Sequence, residues 1–334
     1  NEYCTYRIWL LGKNLLRNII NHSIVENIFV AEKNKNVWHK IKNINDKIYI
    51  TKSPKELILN NEIDAVVIAT PVFTHYSLSK LALENNKHVL VEKPMTSSSD
   101  ESSELIKIAN ANKKILMVDH TFLYTGALKK LKDLINNKNY GEPKYFDSTR
   151  INLGLFQPDI NVLWDLAPHD ISILFFLIPF KPISVNATGI CHTNNDIENI
   201  AYLTLNYHED FIAHFNCSWS SPVKVRSTLI GFSDKMLMYN DLEPSEKIRE
   251  YDTSYSHEIE SKQKILVDYR LGDVNIPKID SSEALFGVID DFIDCIINKK
   301  EPVSNASLGH KVVTILEKAQ ESIKQNGKEI KLYL

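Results

Sequence analysis

Short apolar runs alternate with stretches of helical spacing through the first 120 residues. The runs predict strands at Arg7 to Leu11, Asn27 to Ala31, Lys47 to Ile50, Asp64 to Ala69, His88 to Val91 and Ile115 to Val118. Helical segments are expected between them near 13–22, 35–43, 54–60, 74–86 and 98–112. Strands alternating with helices in this way imply a doubly wound parallel sheet of Rossmann type. Ser53-Pro54-Lys55-Glu56 opens the third helix with a capping box and a proline at the first helical position.

One of these runs ends in chemistry. Val89, Leu90 and Val91 read as an inner strand, covered on both faces so that apolar residues need not alternate with polar ones. Pro94 cannot continue the ladder and stops it. Ligands of open parallel sheets bind beyond the carboxyl ends of the strands, where Glu92 and Lys93 stand. A lysine there is either a solvated strand-end charge or a group placed for a reaction.

After Asp119 the pattern changes. A linking helix from about 124 to 136 leads into long alternating runs at Lys144 to Leu153, Ile183 to Cys191, Ile200 to Tyr207, Phe211 to Trp219, Val223 to Phe232 and Lys235 to Asn240. Hairpin-sized links such as His208-Glu209-Asp210 and Ser233-Asp234 predict a largely antiparallel sheet. One helix, Val162 to Leu177, interrupts it, and helices near 282–298 and 307–325 close the chain. Residues 241–280 are polar and poorly periodic and receive no assignment. The expected division is a dinucleotide-binding domain over 1–121 and a second α/β domain over 122–334.

A chain of 334 residues with 43% apolar and 24% charged residues is long enough for two such domains. Its net charge of -3 and pI near 6.4 give no electrostatic case for nucleic acid or an anionic membrane. The longest apolar run, Ile171 to Phe180, falls well short of the about 18 residues of a span. Cys4, Cys191, Cys217 and Cys295 form no Cys-x-x-Cys pair, which argues against a zinc ribbon or dithiol site, and no metal is expected. Free thiols suit a reducing compartment. No secretory pattern opens the chain, which starts at Asn1 without a methionine, and a cytoplasmic location is the expectation.

A dinucleotide calls for a glycine-rich turn after the first strand, where the backbone can approach the pyrophosphate at a helix amino end. Here that turn is reduced to Gly12-Lys13-Asn14, and Gly12 serves both as the end of the strand and as the start of the helix. It reads as though about five residues of the usual fingerprint were absent. Glu32, about 20 positions on, is placed to accept from a ribose hydroxyl and to favour NAD over NADP.

The interrupting helix carries Trp164-Asp165-Leu166-Ala167-Pro168-His169-Asp170. Asp165 and His169 are four apart and share a helix face, whereas Asp170 points elsewhere. They form an acid/base pair, a surface ion pair, or a buried histidine satisfied by its neighbour. Pro168 implies a kink or a late helix start.

Taken in order, these segments resemble the Gfo/Idh/MocA oxidoreductases over nearly the whole chain. The resemblance rests on Val67-Ile68-Ala69-Thr70-Pro71 with His75, Glu92-Lys93-Pro94, Asp119-His120-Thr121-Phe122-Leu123-Tyr124, Asp165 with His169, and the segment from Gly309 to Ile330. It implies a Rossmann domain followed by an α/β domain on a large open sheet, an NAD cofactor, and dehydrogenation of a sugar or polyol. The wording from Trp164 to Leu174, with Arg150-Ile151-Asn152-Leu153-Gly154 upstream, looks most like the branch acting on nucleotide-activated amino sugars for surface polysaccharide. Oxidation of the C3 hydroxyl of a UDP-N-acetylhexosamine is typical there.

By the same resemblance, Lys93 contacts the nicotinamide ribose and the reacting hydroxyl, Asp165 and His169 complete the site, and Thr70, Pro71, His75 and Glu92 line the cofactor. A histidine with pKa near 6.5 suits removal of the hydroxyl proton, and a lysine charge suits the developing alkoxide. The base is Lys93 or His169, with His169 favoured and Asp165 as its orienting partner. Tyr124, Arg150 and Asn152 are the substrate-contact candidates. A homodimer or homotetramer is also implied. The rivals are a non-catalytic sugar-binding protein with an impaired cofactor turn and a dehydrogenase of free sugar or inositol.

Overall fold

The computed structural model describes residues 6–10, 13–45, 48–137, 140–154, 156–157, 159–193, 196–261 and 264–334. In chain order the first elements are β1 (Tyr6–Leu10), α1 (Lys13–Ile20), β2 (Val25–Ala31), α2 (Trp38–Lys42), β3 (Ile48–Thr51), α3 (Pro54–Ile58), β4 (Ala65–Ile68), α4 (His75–Glu84), β5 (His88–Glu92), α5 (Ser99–Ala111) and β6 (Leu116–Asp119). Then follow α6 (Gly126–Asn137), β7 (Pro143–Leu153), α7 (Val162–Leu177), β8 (Ser184–Ile190), β9 (Ile200–Asn206), β10 (Ile212–Ser218), β11 (Ser220–Phe232) and β12 (Met236–Asn240). The last are β13 (Ile248–Tyr251), β14 (Ser254–Ser261), β15 (Lys264–Arg270), β16 (Val274–Asn275), α8 (Ala284–Asn298), α9 (Ala306–Lys324) and β17 (Ile330–Lys331).

They form two compact units, one of residues 1–125 with 282–313, the other of 126–281 with 314–334. The first boundary lies close to the expected one at 121/122. The return of residues 282–313 to the first unit differs from the sequence division, which kept everything after 121 together. Helical periodicity marks α8 as amphipathic without saying which apolar face it covers.

In the first unit a parallel sheet has the order β3-β2-β1-β4-β5-β6, the doubly wound arrangement with its topological switch between β1 and β4. Inner strands β4 and β5 are apolar and buried because helices cover both faces. The capping of α3 agrees with its sequence, Ser53 accepting from the Glu56 amide. The Glu56 carboxylate turns instead to the Thr51 hydroxyl, so the reciprocal half of the box is taken by a strand residue.

In the second unit nine strands run β16-β13-β12-β11-β7-β10-β9-β8-β17. All pairings are antiparallel except β7 with β10, which is parallel. The predicted hairpins β9–β10 and β11–β12 form as read. Residues 241–280, unassigned from sequence, supply β13, β16 and a separate two-stranded hairpin of β14 and β15. Helix α7 packs on β7, β9 and β10. It runs unbroken through the buried Pro168, so the late start does not occur.

Among the described residues no helix is long and apolar enough to cross a membrane. Among the described residues Cys191, Cys217 and Cys295 take part in no disulfide.

Candidate active site

In the first unit β5 and β6 end side by side, with Glu92 paired in register to Asp119. Lys93 follows at once, half-buried, and its amide donates to Glu92 Oε2 at 3.2 Å. Asp119 is 1% exposed and accepts from the Thr121 hydroxyl through Oδ1 at 2.7 Å. Burial, then the neighbouring Asp119 charge, raise the Glu92 carboxyl far above the carboxylate range, with Lys93 opposing. Burial raises Asp119 as well, against the Thr121 hydrogen bond and the Lys93 charge. His120 is held neutral, its pKa pushed down to about 3 by burial and by Lys93.

The turn after Lys93 is fixed by His75. Its Nδ1 lies 2.9 Å from the Pro94 carbonyl oxygen and its Nε2 lies 2.8 Å from that of Thr70. The imidazole therefore ties the end of β4 to the Lys93-Pro94 turn, whose peptide bond is cis. Both neighbours are acceptors and a neutral ring carries one N–H, so one contact is a hydrogen bond and the other a close approach. Burial and Lys93 together keep the ring neutral against the two carbonyls, which favour charge.

At the ends of β2, β3 and β4 lies a cavity of about 430 Å³, whose lining includes Glu32, Lys33, Lys52, Thr70, Pro71 and Phe73. That size and mixed polarity suit one half of a dinucleotide. The Glu32 carboxylate accepts from the Asn34 amide at 2.7 Å, which holds it at the turn after β2. Glu32, Thr70 and Pro71, read separately from the sequence, thus meet in one place. Gly12 lies outside the described residues. Lys13 opens α1, and Asn14 on its first turn is exposed. These residues fit the nucleotide that the strand order and the acidic residue imply.

In the second unit Asp165 and His169 lie half-buried on α7, four residues apart. Asp165 Oδ2 accepts from Trp219 Nε1 at 3.1 Å. Trp219 is fully buried, stacks at a tilt with Phe156, and lies so close to Gly154 that a Cβ there would come within 2.8 Å of the indole. A glycine is needed at 154 for the indole to reach Asp165.

Asp170, one residue beyond His169, faces the sheet and receives Arg150 Nε at 2.8 Å and Nη2 at 2.7 Å. Arg150, expected to contact substrate, thus turns its fork to Asp170, and both side chains are buried. Tyr124, another of the substrate-contact candidates, is buried as well. It is 3% exposed, it precedes α6 in a 3-10 turn, and its hydroxyl donates to Asp291 Oδ2 at 2.6 Å and meets the Ser304 hydroxyl at 2.9 Å. Asn152, near the end of β7, is half-buried and remains a candidate.

Two family models account for most of this architecture. One, described as the oxidoreductase family with an NAD-binding Rossmann fold, matches residues 11–120, and the other, the GFO/IDH/MocA C-terminal domain, matches residues 128–235. The chain belongs to the Gfo/Idh/MocA family.

Among its relatives, the UDP-N-acetylglucosamine 3-dehydrogenase of Acidithiobacillus ferrooxidans is 32% identical over 149 residues, 43% of this chain and 46% of that protein. The scyllo-inositol 2-dehydrogenase (NADP(+)) of Bacillus subtilis is 25% identical over 167 residues, 46% of this chain and 45% of that protein. The chain spans about half the length of the curated relatives it matches. A solved structure of the Acidithiobacillus enzyme aligns with TM-score 0.76 at 21% identity, covering 96% of this chain and 98% of that one. A levoglucosan dehydrogenase solved with NADH and levoglucosan aligns at 0.81 and 15% identity, covering 99% and 100%. At such identities the structural likeness speaks for the fold.

Within this Gfo/Idh/MocA chain, sequence reasoning missed two residues. Asp119 was read only as part of a motif, although its place at a strand end opposite Glu92 is the signal that counts. Trp219 was read as the end of a strand, and only the packing of β10 beneath α7 brings it to Asp165.

Proposed function

We propose that the protein is an NAD-dependent dehydrogenase that oxidises a ring hydroxyl, at C3, of a nucleotide-activated amino sugar, in the cytoplasmic synthesis of a surface polysaccharide. What supports this reading is that each unit carries groups such a reaction would use: Lys93 at the end of β5 beside Glu92 in the first, and Asp165 with His169 on one face of α7 in the second. The 32% identity to a UDP-N-acetylglucosamine 3-dehydrogenase supports the substrate class.

When bound, the nicotinamide ring supplies the hydride acceptor. The chain's residues do the rest. Glu32, Thr70 and Pro71 hold the nucleotide in their cavity, and Glu92 stands toward its nicotinamide end. His169 takes the hydroxyl proton as general base, imidazole being the side chain most often used for that transfer. Asp165, anchored by Trp219, orients it. The Lys93 ammonium stabilises the alkoxide as it develops. Asn152 is the remaining substrate contact, and the active form is a homodimer or homotetramer, read by light scattering.

A second reading, a sugar-binding protein without catalysis, is favoured by the shortened Gly12-Lys13-Asn14 turn alone. Titration with NADH, followed by energy transfer from tryptophan, separates the two. Binding in the micromolar range, then reduction of NAD with a UDP-N-acetylhexosamine, supports the dehydrogenase. A folded protein that ignores NADH up to millimolar concentration sinks it. Turnover of free inositol or glucose in preference to UDP-sugars would move the substrate class.

A further inference from the structure

The in-register carboxyls Glu92 and Asp119 belong to different strands, yet they meet at one depth in the first unit. Asp119 is 1% exposed, and its Oδ2 finds no hydrogen-bond donor among the described residues. Next to it His120, equally buried, has no partner for either ring nitrogen among the described residues. A carboxylate oxygen held away from water without a donor is costly, and a second carboxylate on the adjoining strand makes full ionisation costlier still. Two carboxyls in such a place share a proton, as like charges cannot both be kept there.

The groups around the pair fix its charge balance. Lys93 follows Glu92 in the chain and is the cation that acts on both carboxyls. His120 adjoins Asp119 and is neutral. His75 on α4 is neutral, its ring between two carbonyls. On α5 the Glu101 carboxylate accepts from the Ser97 amide, and on α9 the His310 ring meets the Ser102 hydroxyl. With one proton on the pair, Glu92, Asp119 and Lys93 sum to zero charge.

We infer that Glu92 and Asp119 hold a single proton between them and release it to solvent when a positive charge is placed beside Glu92, so that the oxidised cofactor binds with loss of a proton and the reduced cofactor without it. The inference rests on the proposed function in taking Glu92 to face the nicotinamide end. The oxidised ring carries a positive charge and the reduced ring none, while the rest of the dinucleotide is common to both. The chain thereby keeps the charge of its reaction chamber even in both redox states. Asp119 acts through Glu92 and is a positioning residue.

The test is proton counting on the full chain. NAD+ and NADH are each titrated calorimetrically in buffers of different ionisation enthalpy from about pH 6 to about pH 8.5. NAD+ affinity is expected to rise with pH, by up to about tenfold per unit, while NADH affinity stays flat. The Asp119→Asn variant is expected to lose the difference, because Glu92 without its like-charged neighbour ionises earlier. A second measurement does not need cofactor: infrared spectra at neutral pH should contain the C=O band of a protonated carboxylic acid, absent from Glu92→Gln. Equal pH dependence of the two nucleotides overturns the coupling. Absence of the band from the wild-type spectrum overturns the shared proton, whatever the nucleotides do. Failure of both nucleotides to bind overturns the proposed function and the coupling with it, and leaves the band to judge the carboxyl pair.

Discussion

Asp170 receives two parallel hydrogen bonds from Arg150, at 2.8 and 2.7 Å, with side chains only 4% and 5% exposed. A helix residue is thus clamped to the central strand of the second sheet, one position after His169. Removing either partner leaves a buried charge uncompensated. Arg150→Met or Asp170→Asn is expected to cost about 3–5 kcal/mol in denaturant unfolding, while the double change Arg150→Met with Asp170→Leu recovers most of it. Equal losses in the single and double variants would count against a clamped pair.

His169→Ala is expected to lower kcat by roughly 10²–10⁴-fold and leave NADH affinity unchanged, as loss of a general base does. Trp219→Phe keeps the packing and removes the donor to Asp165. It should lower kcat by about tenfold, with the loss appearing in the kcat pH profile more than in KM. Steady-state rates on a UDP-sugar check both, and near-wild-type kcat in His169→Ala removes that residue from the reaction.

Glu32 sits in a cavity that also holds Lys33 and Lys52. Once the carboxylate no longer opposes a 2′-phosphate, those lysines can serve one. Glu32→Gln is expected to shift the ratio of NADPH to NADH affinity by about tenfold, roughly 1.4 kcal/mol, in paired fluorescence titrations. An unmoved ratio would place the ribose elsewhere.

His88 opens β5, and its Nδ1 accepts the Ile115 amide at 3.0 Å, which requires a neutral ring. Burial, helped by the Lys114 charge, pulls its pKa down to about 4. The unfolded chain therefore binds a proton between pH about 6.5 and about 4 that the folded chain refuses, so this contribution is present above 6.5 and is lost as pH falls. Its size is at most about 3 kcal/mol. His88→Asn, which can still accept from Ile115, should flatten the fall in melting temperature across that range. An identical acid slope in the variant would assign the effect to other groups.

Much of the fold was legible because it is written in local periodicity. Helix α7 has the bounds read from its apolar run, and the six parallel strands fall within a residue or two of theirs wherever they are described. Glu92, Lys93, Thr70 and Pro71 were legible because strand ends in a parallel sheet all open on one side. What escaped depends on pairing across the chain. Strands β13 and β16 are short and exist because β12 offers an edge to β13 and β13 in turn offers one to β16. The places of Arg150, Tyr124, Trp219 and Asp119 follow from which strand lies under which helix, and periodicity carries no record of that.

The return of residues 282–313 also sets an order of assembly. The first 125 residues leave the ribosome early, but their unit lacks α8, whose Asp291 receives the Tyr124 hydroxyl, and the Asn305 bridge to Met117. It stays unfinished while all ten strands from β7 to β16 are made. A nascent chain must then shelter an open nucleotide-binding layer through most of its own synthesis, and a fragment cut after residue 125 would keep that exposed edge for good.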